Sequence, residues 1–110
     1  QDAPLLERPI PATGERLPVI GLGTYRTFDV GRGAAERAPL VAVTRAFFEH
    51  GGVVVDSSPR YGPSEAVFGD VLAEVGLPRR LFAATKIDAD DRASGLQQMQ
   101  DSPELMGVGP

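Results

Sequence analysis

The sequence contains no cysteine and a single histidine. The first absence excludes a disulfide framework, a thiolate metal site and a cysteine nucleophile, and it leaves the redox compartment open. Basic residues are in the minority: 11 lysines and arginines stand against 15 aspartates and glutamates, a net charge of -4. A broad nucleic-acid surface rests on a basic excess, so no nucleic-acid partner is expected, and Arg79-Arg80 reads as a solvated pair. No apolar run approaches the roughly 20 residues that cross a bilayer, which predicts a soluble chain with no membrane association.

What is present suits one small domain. The chain has 110 residues, 42% of them hydrophobic, enough apolar content for a packed core. Its 13 glycines and 10 prolines are scattered between patterned segments and form no low-complexity tract. The chain starts at Gln1 without a methionine. A cleaved export signal would leave such an end, and so would trimming of a longer polypeptide. Both an exported or periplasmic location and a cytoplasmic one therefore stay open.

Two short apolar runs, Leu5-Leu6 to Ile10 and Leu17 to Ile20, flank a glycine-containing turn at residues 12–15 and predict a hairpin. Pro9, Pro11 and Pro18 suit its edge strands, because proline offers no N–H to an inner ladder. Residues 19–23 read as a short buried strand ending in glycines. Residues 34–50 read as a helix with Leu40, Val43, Ala46 and Phe47 on one stripe, stopped by Gly51-Gly52. Val53-Val54-Val55 is a β-branched run of the kind found in a strand buried on both faces. Residues 64–75 form the clearest helix, with Val67, Phe68, Val71, Leu72 and Val75 on one side, Ser64 as its cap and Gly76 as its stop. Residues 81–85 predict a further strand, and residues 92–102 a third helix with Leu96 and Met99 on one side and Pro103 ending it. Alternation of buried strands with amphipathic helices, at a spacing of about 30 residues, argues for a parallel α/β architecture.

In such folds ligands bind at the C-terminal ends of the strands. Gly23-Thr24-Tyr25, Asp56 and Lys86 all fall there, and Tyr61 lies in the loop after Asp56. The set has a chemical logic. A phenol is a weak acid, with a reference pKa of about 10. A nearby ammonium favours its ionised form, and a carboxylate holds that ammonium in place. The tyrosine could then donate a proton to a carbonyl oxygen while hydride reaches the carbon. From the residues alone each has a second reading: Asp56 as a turn residue, Tyr61 as a half-buried packing aromatic, Lys86 as a surface lysine.

The run Asp56-Ser57-Ser58-Pro59-Arg60-Tyr61-Gly62-Pro63-Ser64-Glu65 resembles the loop of the aldo-keto reductases that carries their catalytic aspartate and tyrosine. Ala84-Thr85-Lys86 is similar to the strand end that carries their catalytic lysine, and Gly21-Leu22-Gly23-Thr24 to their first barrel strand and its turn. The opening hairpin is similar to the one that plugs the bottom of their barrel. The resemblance runs from about Leu5 to about Ser102. It implies an α/β fold of the (β/α)8 TIM-barrel type, represented here by the N-terminal hairpin and about three βα units. It also implies NADP(H)-dependent reduction of an aldehyde or ketone. By the same resemblance Tyr61 would be the general acid, Lys86 would assist it and Asp56 would pair with Lys86. Gly23, Thr24, Tyr25 and Asp56 would lie near the nicotinamide of the cofactor. The partner implied is a small carbonyl substrate, with no metal.

The chain departs from the family's pattern in length, since a whole barrel takes about 250 residues. The family's further catalytic histidine has no counterpart in position: His50 falls at the end of the first helix, where a solvated cation suits the helix dipole. Residues 1–102 are expected to be the N-terminal portion of such a barrel. Residues 103–110 are expected to be a tail of unclear origin, a truncation or a seam. A chain ending there would be inactive. The alternative is a non-catalytic barrel fragment that self-associates, or binds a partner, through open sheet edges.

Overall fold

The computed structural model describes residues 5–109. Gln1, on which the export reading rests, lies outside them. The element order is β1 (Glu7–Pro9), β2 (Arg16–Pro18), β3 (Leu22–Gly23), α1 (Ala34–Glu49), β4 (Val54–Asp56), α2 (Ser64–Val75), β5 (Phe82–Ala84) and α3 (Arg92–Met106). β1 and β2 pair antiparallel as a hairpin. β3, β4 and β5 form one parallel sheet in that order, as expected from the strand–helix alternation. It is an open sheet with helices, the geometry of part of a barrel wall.

Among the described residues no helix is long and apolar enough to cross a membrane. The core lies between sheet and helices and is built from Phe28, Leu40, Val41, Val55, Val67, Phe68, Val71, Leu72 and Met106. Phe28, from the loop after β3, meets Phe68 edge-on with ring centroids 6.0 Å apart, a favoured aromatic geometry.

The hairpin sits below the sheet, where the strands begin. Arg80, just before β5, pairs with Glu7 at 3.4 Å and donates to the carbonyl of Arg16. Leu5 packs beside Gly51, just before β4. The hairpin thus covers the edge opposite the strand C-termini.

Four local expectations are corrected. Val19 and Ile20 are exposed and precede the sheet strand, which begins at Leu22. The Val19 N–H instead extends the hairpin by donating to the Leu6 carbonyl. In α1 the buried side runs through Leu40, Val41 and Thr44, so Val43 faces solvent; the stripe is rotated by about one residue because α2 contacts that side. Ser64 does not cap α2: Pro63 takes the cap position, and the Ser64 hydroxyl donates to the Thr24 carbonyl. α3 runs through Pro103 to Met106, and it buries Gly95, Ser102 and Met106 while Leu96 and Met99 are exposed. A proline inside a helix lacks one N–H bond and crowds the carbonyl four residues before it; Met106, 1% exposed, packs the end of α3 into the core and offsets that cost.

Candidate functional site

The strand register sets the site. Gly23 lies level with Asp56, and Asp56 with Ala84. The residues that follow these three emerge at one edge. Pairing continues one step past the strands: the Thr24 N–H donates to the Asp56 carbonyl and the Ser57 N–H to the Ala84 carbonyl. The edge is therefore rigid where the polar side chains begin.

Asp56, Tyr61 and Lys86 come together on it. The Lys86 ammonium donates to both Asp56 carboxylate oxygens, at 3.0 and 2.8 Å, and to the Ser57 carbonyl at 2.9 Å. It also stands 4.8 Å from the centre of the Tyr61 ring, within cation–π range. Partial burial pulls the Lys86 pKa down. The hydrogen bond to Asp56 and the polar contact with Tyr61 outweigh it, so that the pKa lies above the ordinary 10.5. Lys86 is thus a fixed cation beside a phenol.

The loop shape that presents Tyr61 is local. The Ser58 hydroxyl accepts from the Arg60 N–H. The Tyr61 N–H donates to the Ser58 carbonyl, and the Ser64 N–H to the Tyr61 carbonyl. Gly62 has φ +57 with the Asp29 carboxylate 2.9 Å from where a Cβ would stand, so a side chain there would be both strained and crowded.

Of the residues expected near a cofactor, Gly23 ends β3 and Tyr25 is exposed, its ring 4.9 Å from that of Tyr61. Arg26 adopts φ +64 and sets its guanidinium 5.2 Å from the Tyr25 ring. Thr24 is fully buried. Its hydroxyl points inward, 2.7 Å from the Ser57 hydroxyl and 3.0 Å from the Asp56 carbonyl. His50 caps the far end of α1, its Nδ1 2.8 Å from the Ala46 carbonyl, at the edge where β4 begins.

Two features were not anticipated from the sequence. Thr24, Ser57 and Ser64 form a buried hydroxyl seam under the site. At the rim, Arg60 pairs with Asp88 at 3.0 Å, while the Gln98 amide accepts from the Asp88 N–H and donates to its carbonyl. The seam's signal is a serine or threonine directly after each of two strands. The rim pairing has no local signal, because its members come from three separate segments.

The model of the Aldo/keto reductase family matches residues 19–106. No curated protein matches the sequence. Among solved structures, the chain is similar to a thermostable aldo-keto reductase crystallised with the inhibitor epalrestat, with a TM-score of 0.77 at 19% identity. That match covers 94% of this chain and 39% of the other. An aldo/keto reductase from Klebsiella pneumoniae in complex with NADP and acetate gives a TM-score of 0.70 at 26% identity, over 86% of this chain and 33% of its own. An aldo-keto reductase from Bombyx mori in complex with NADP gives 0.70 at 19% identity, over 97% of this chain and 36% of its own. The chain therefore spans between a third and two fifths of the length of these relatives.

Proposed function

The chain belongs to the aldo/keto reductase family, and we propose that it carries the proton-donating side of an NADP(H)-dependent reduction of an aldehyde or ketone. One observation carries the reading: the Lys86 ammonium is held by Asp56 at 2.8 Å and lies against the Tyr61 ring. The residues at this edge fit the nicotinamide end of such a cofactor. The side chains of Lys86 and Asp56 are each nearly half exposed, and the exposed Tyr25 ring gives a flat apolar surface beside them.

NADPH, when bound, supplies a hydride to the carbonyl carbon. Tyr61 gives its phenolic proton to the carbonyl oxygen, so that one C–H and one O–H bond form and the C=O π bond is lost. Lys86 stabilises the phenolate left behind. Asp56 and the Ser57 carbonyl keep Lys86 from swinging into solvent, which holds donor and cation at a fixed separation. Gly23, Thr24 and Tyr25 are the residues that would hold the nicotinamide end of the cofactor, Thr24 by fixing the backbone there through the buried bonds of its hydroxyl.

The test is NADPH oxidation that depends on added aldehyde. Oxidation that rises and saturates with aldehyde is expected; none at any aldehyde concentration counts against the reading. The sheet favours a second reading, because among the described residues its outer strands β3 and β5 are each paired on one side only. On that reading the chain is a non-catalytic barrel portion that associates through those edges. NADPH fluorescence separates the two: saturable enhancement supports the first, and no change supports the second.

A further inference from the structure

Glu65, in the first turn of α2, is 3% exposed. Its carboxylate accepts from the Thr85 hydroxyl at 2.6 Å and from the Ser102 hydroxyl at 3.0 Å. Among the described residues it forms no ion pair. A buried carboxylate served only by neutral hydroxyls is costly compared with an apolar side chain of similar size. Packing alone does not explain it. Its geometry does: Glu65 begins the helix that follows the Tyr61 loop, and Thr85 is the residue before Lys86. Ser102 ties the same carboxylate to α3. One group therefore locks the segment bearing the phenol to the segment bearing the ammonium, from behind the site.

We propose that Glu65 is a positioning residue that seats Lys86 on Asp56 and Tyr61 by holding the Thr85 hydroxyl. This rests on the functional reading above for its consequence in turnover, although its structural effect is measurable without it. When the Glu65–Thr85 bond is removed, the segment stays held at Ala84 by the Ser57 N–H and at Asp88 by Gln98 and Arg60, but the turn between them that carries Lys86 loses its own tie, and the ammonium shifts off its three acceptors.

The experiment uses NMR of the Lys86 side chain in isotopically labelled protein, where contacts of Lys86 with Asp56 and Tyr61 report its seat. Three variants are compared with the parent: Thr85→Val, Thr85→Ser and Glu65→Ala. Thr85→Val and Glu65→Ala are expected to lose these contacts, while Thr85→Ser, which keeps the hydroxyl, retains them. Turnover in Thr85→Val is expected to fall about 10-fold or more in kcat, with the KM for NADPH little changed, as small misplacements of reacting groups do. Lys86 contacts intact in Thr85→Val overturn the proposal, and so does a Thr85→Ser as damaged as Thr85→Val. If Glu65→Ala does not fold, the two Thr85 variants decide alone. A Tyr61→Phe protein with parental turnover would end the functional reading and leave the Lys86 readout standing. Parental Lys86 contacts in Thr85→Val, with Tyr61→Phe inactive, would end only the present proposal.

Discussion

Lys86 and Asp56 illustrate how a pair that is weak for stability can be strong for geometry. Both side chains are nearly half exposed, so the pair contributes about 1 kcal/mol or less. Because the Lys86 pKa is raised above 10.5 in the folded protein, the stabilisation is present in full below that value. It is lost as pH rises through the higher folded-state value. Urea midpoints should therefore be lower for Lys86→Met than for the parent near neutral pH and should converge well above pH 10.5. A gap that persists there would mean the alkyl stem, not the charge, carries the effect. Thr44 makes the opposite case. It is fully buried, and its hydroxyl has no partner among the described residues. Thr44→Val should raise stability by about 1 kcal/mol, read as a higher thermal midpoint. The meeting of Asp56, Tyr61 and Lys86 at one edge was legible because strand ends can be read from short apolar runs. Glu65 and Thr85 were not, since nothing local tells that residues a whole βα unit apart share a bond.

The helices were legible in place but not always in facing. α2 carries Val67, Phe68, Val71 and Leu72 on one side, and that side is buried as the spacing predicts. α3 departs from its pattern, because Leu96 and Met99 have the spacing of a buried stripe and yet face solvent. The contact with α2 is instead made by Ser102 and Met106, where the helices approach closely at Gly69. A Cβ on Gly69 would run into the Leu105 carbonyl. Ser102 and Met106 are buried at that end of α3, while Gly95, at its other end, lies against Ile87. Gly69→Ala should consequently destabilise by up to about 2 kcal/mol. Overpacking against backbone costs about 1–3 kcal/mol, which exceeds the gain of roughly 1 kcal/mol in helix propensity. The urea midpoint reports the balance, and a stabilised Gly69→Ala would show that the two helices can part without loss.

At the scale of the molecule the described residues form a slab with extents of 47 × 41 × 21 Å, about the thickness of one sheet and one helix layer. Hairpin, strand alternation and parallel order were all legible, because each rests on local turn chemistry and period. Among the described residues β3 and β5 have unpaired outer sides, and Ile20, Ile87, Leu96 and Met99 are exposed. Such edges are templates for further pairing. A polypeptide of residues 1–110 should thus show a mass that rises with concentration in light scattering after size exclusion. A single monomeric mass across the range would show that the edges are protected.

Whether Tyr61 donates the proton is decided by one comparison, the rate of aldehyde-dependent NADPH oxidation in the parent protein and in Tyr61→Phe. Loss of the phenolic hydroxyl should lower that rate about 100-fold or more, the range of general acid catalysis. Equal rates in the two proteins would contradict it.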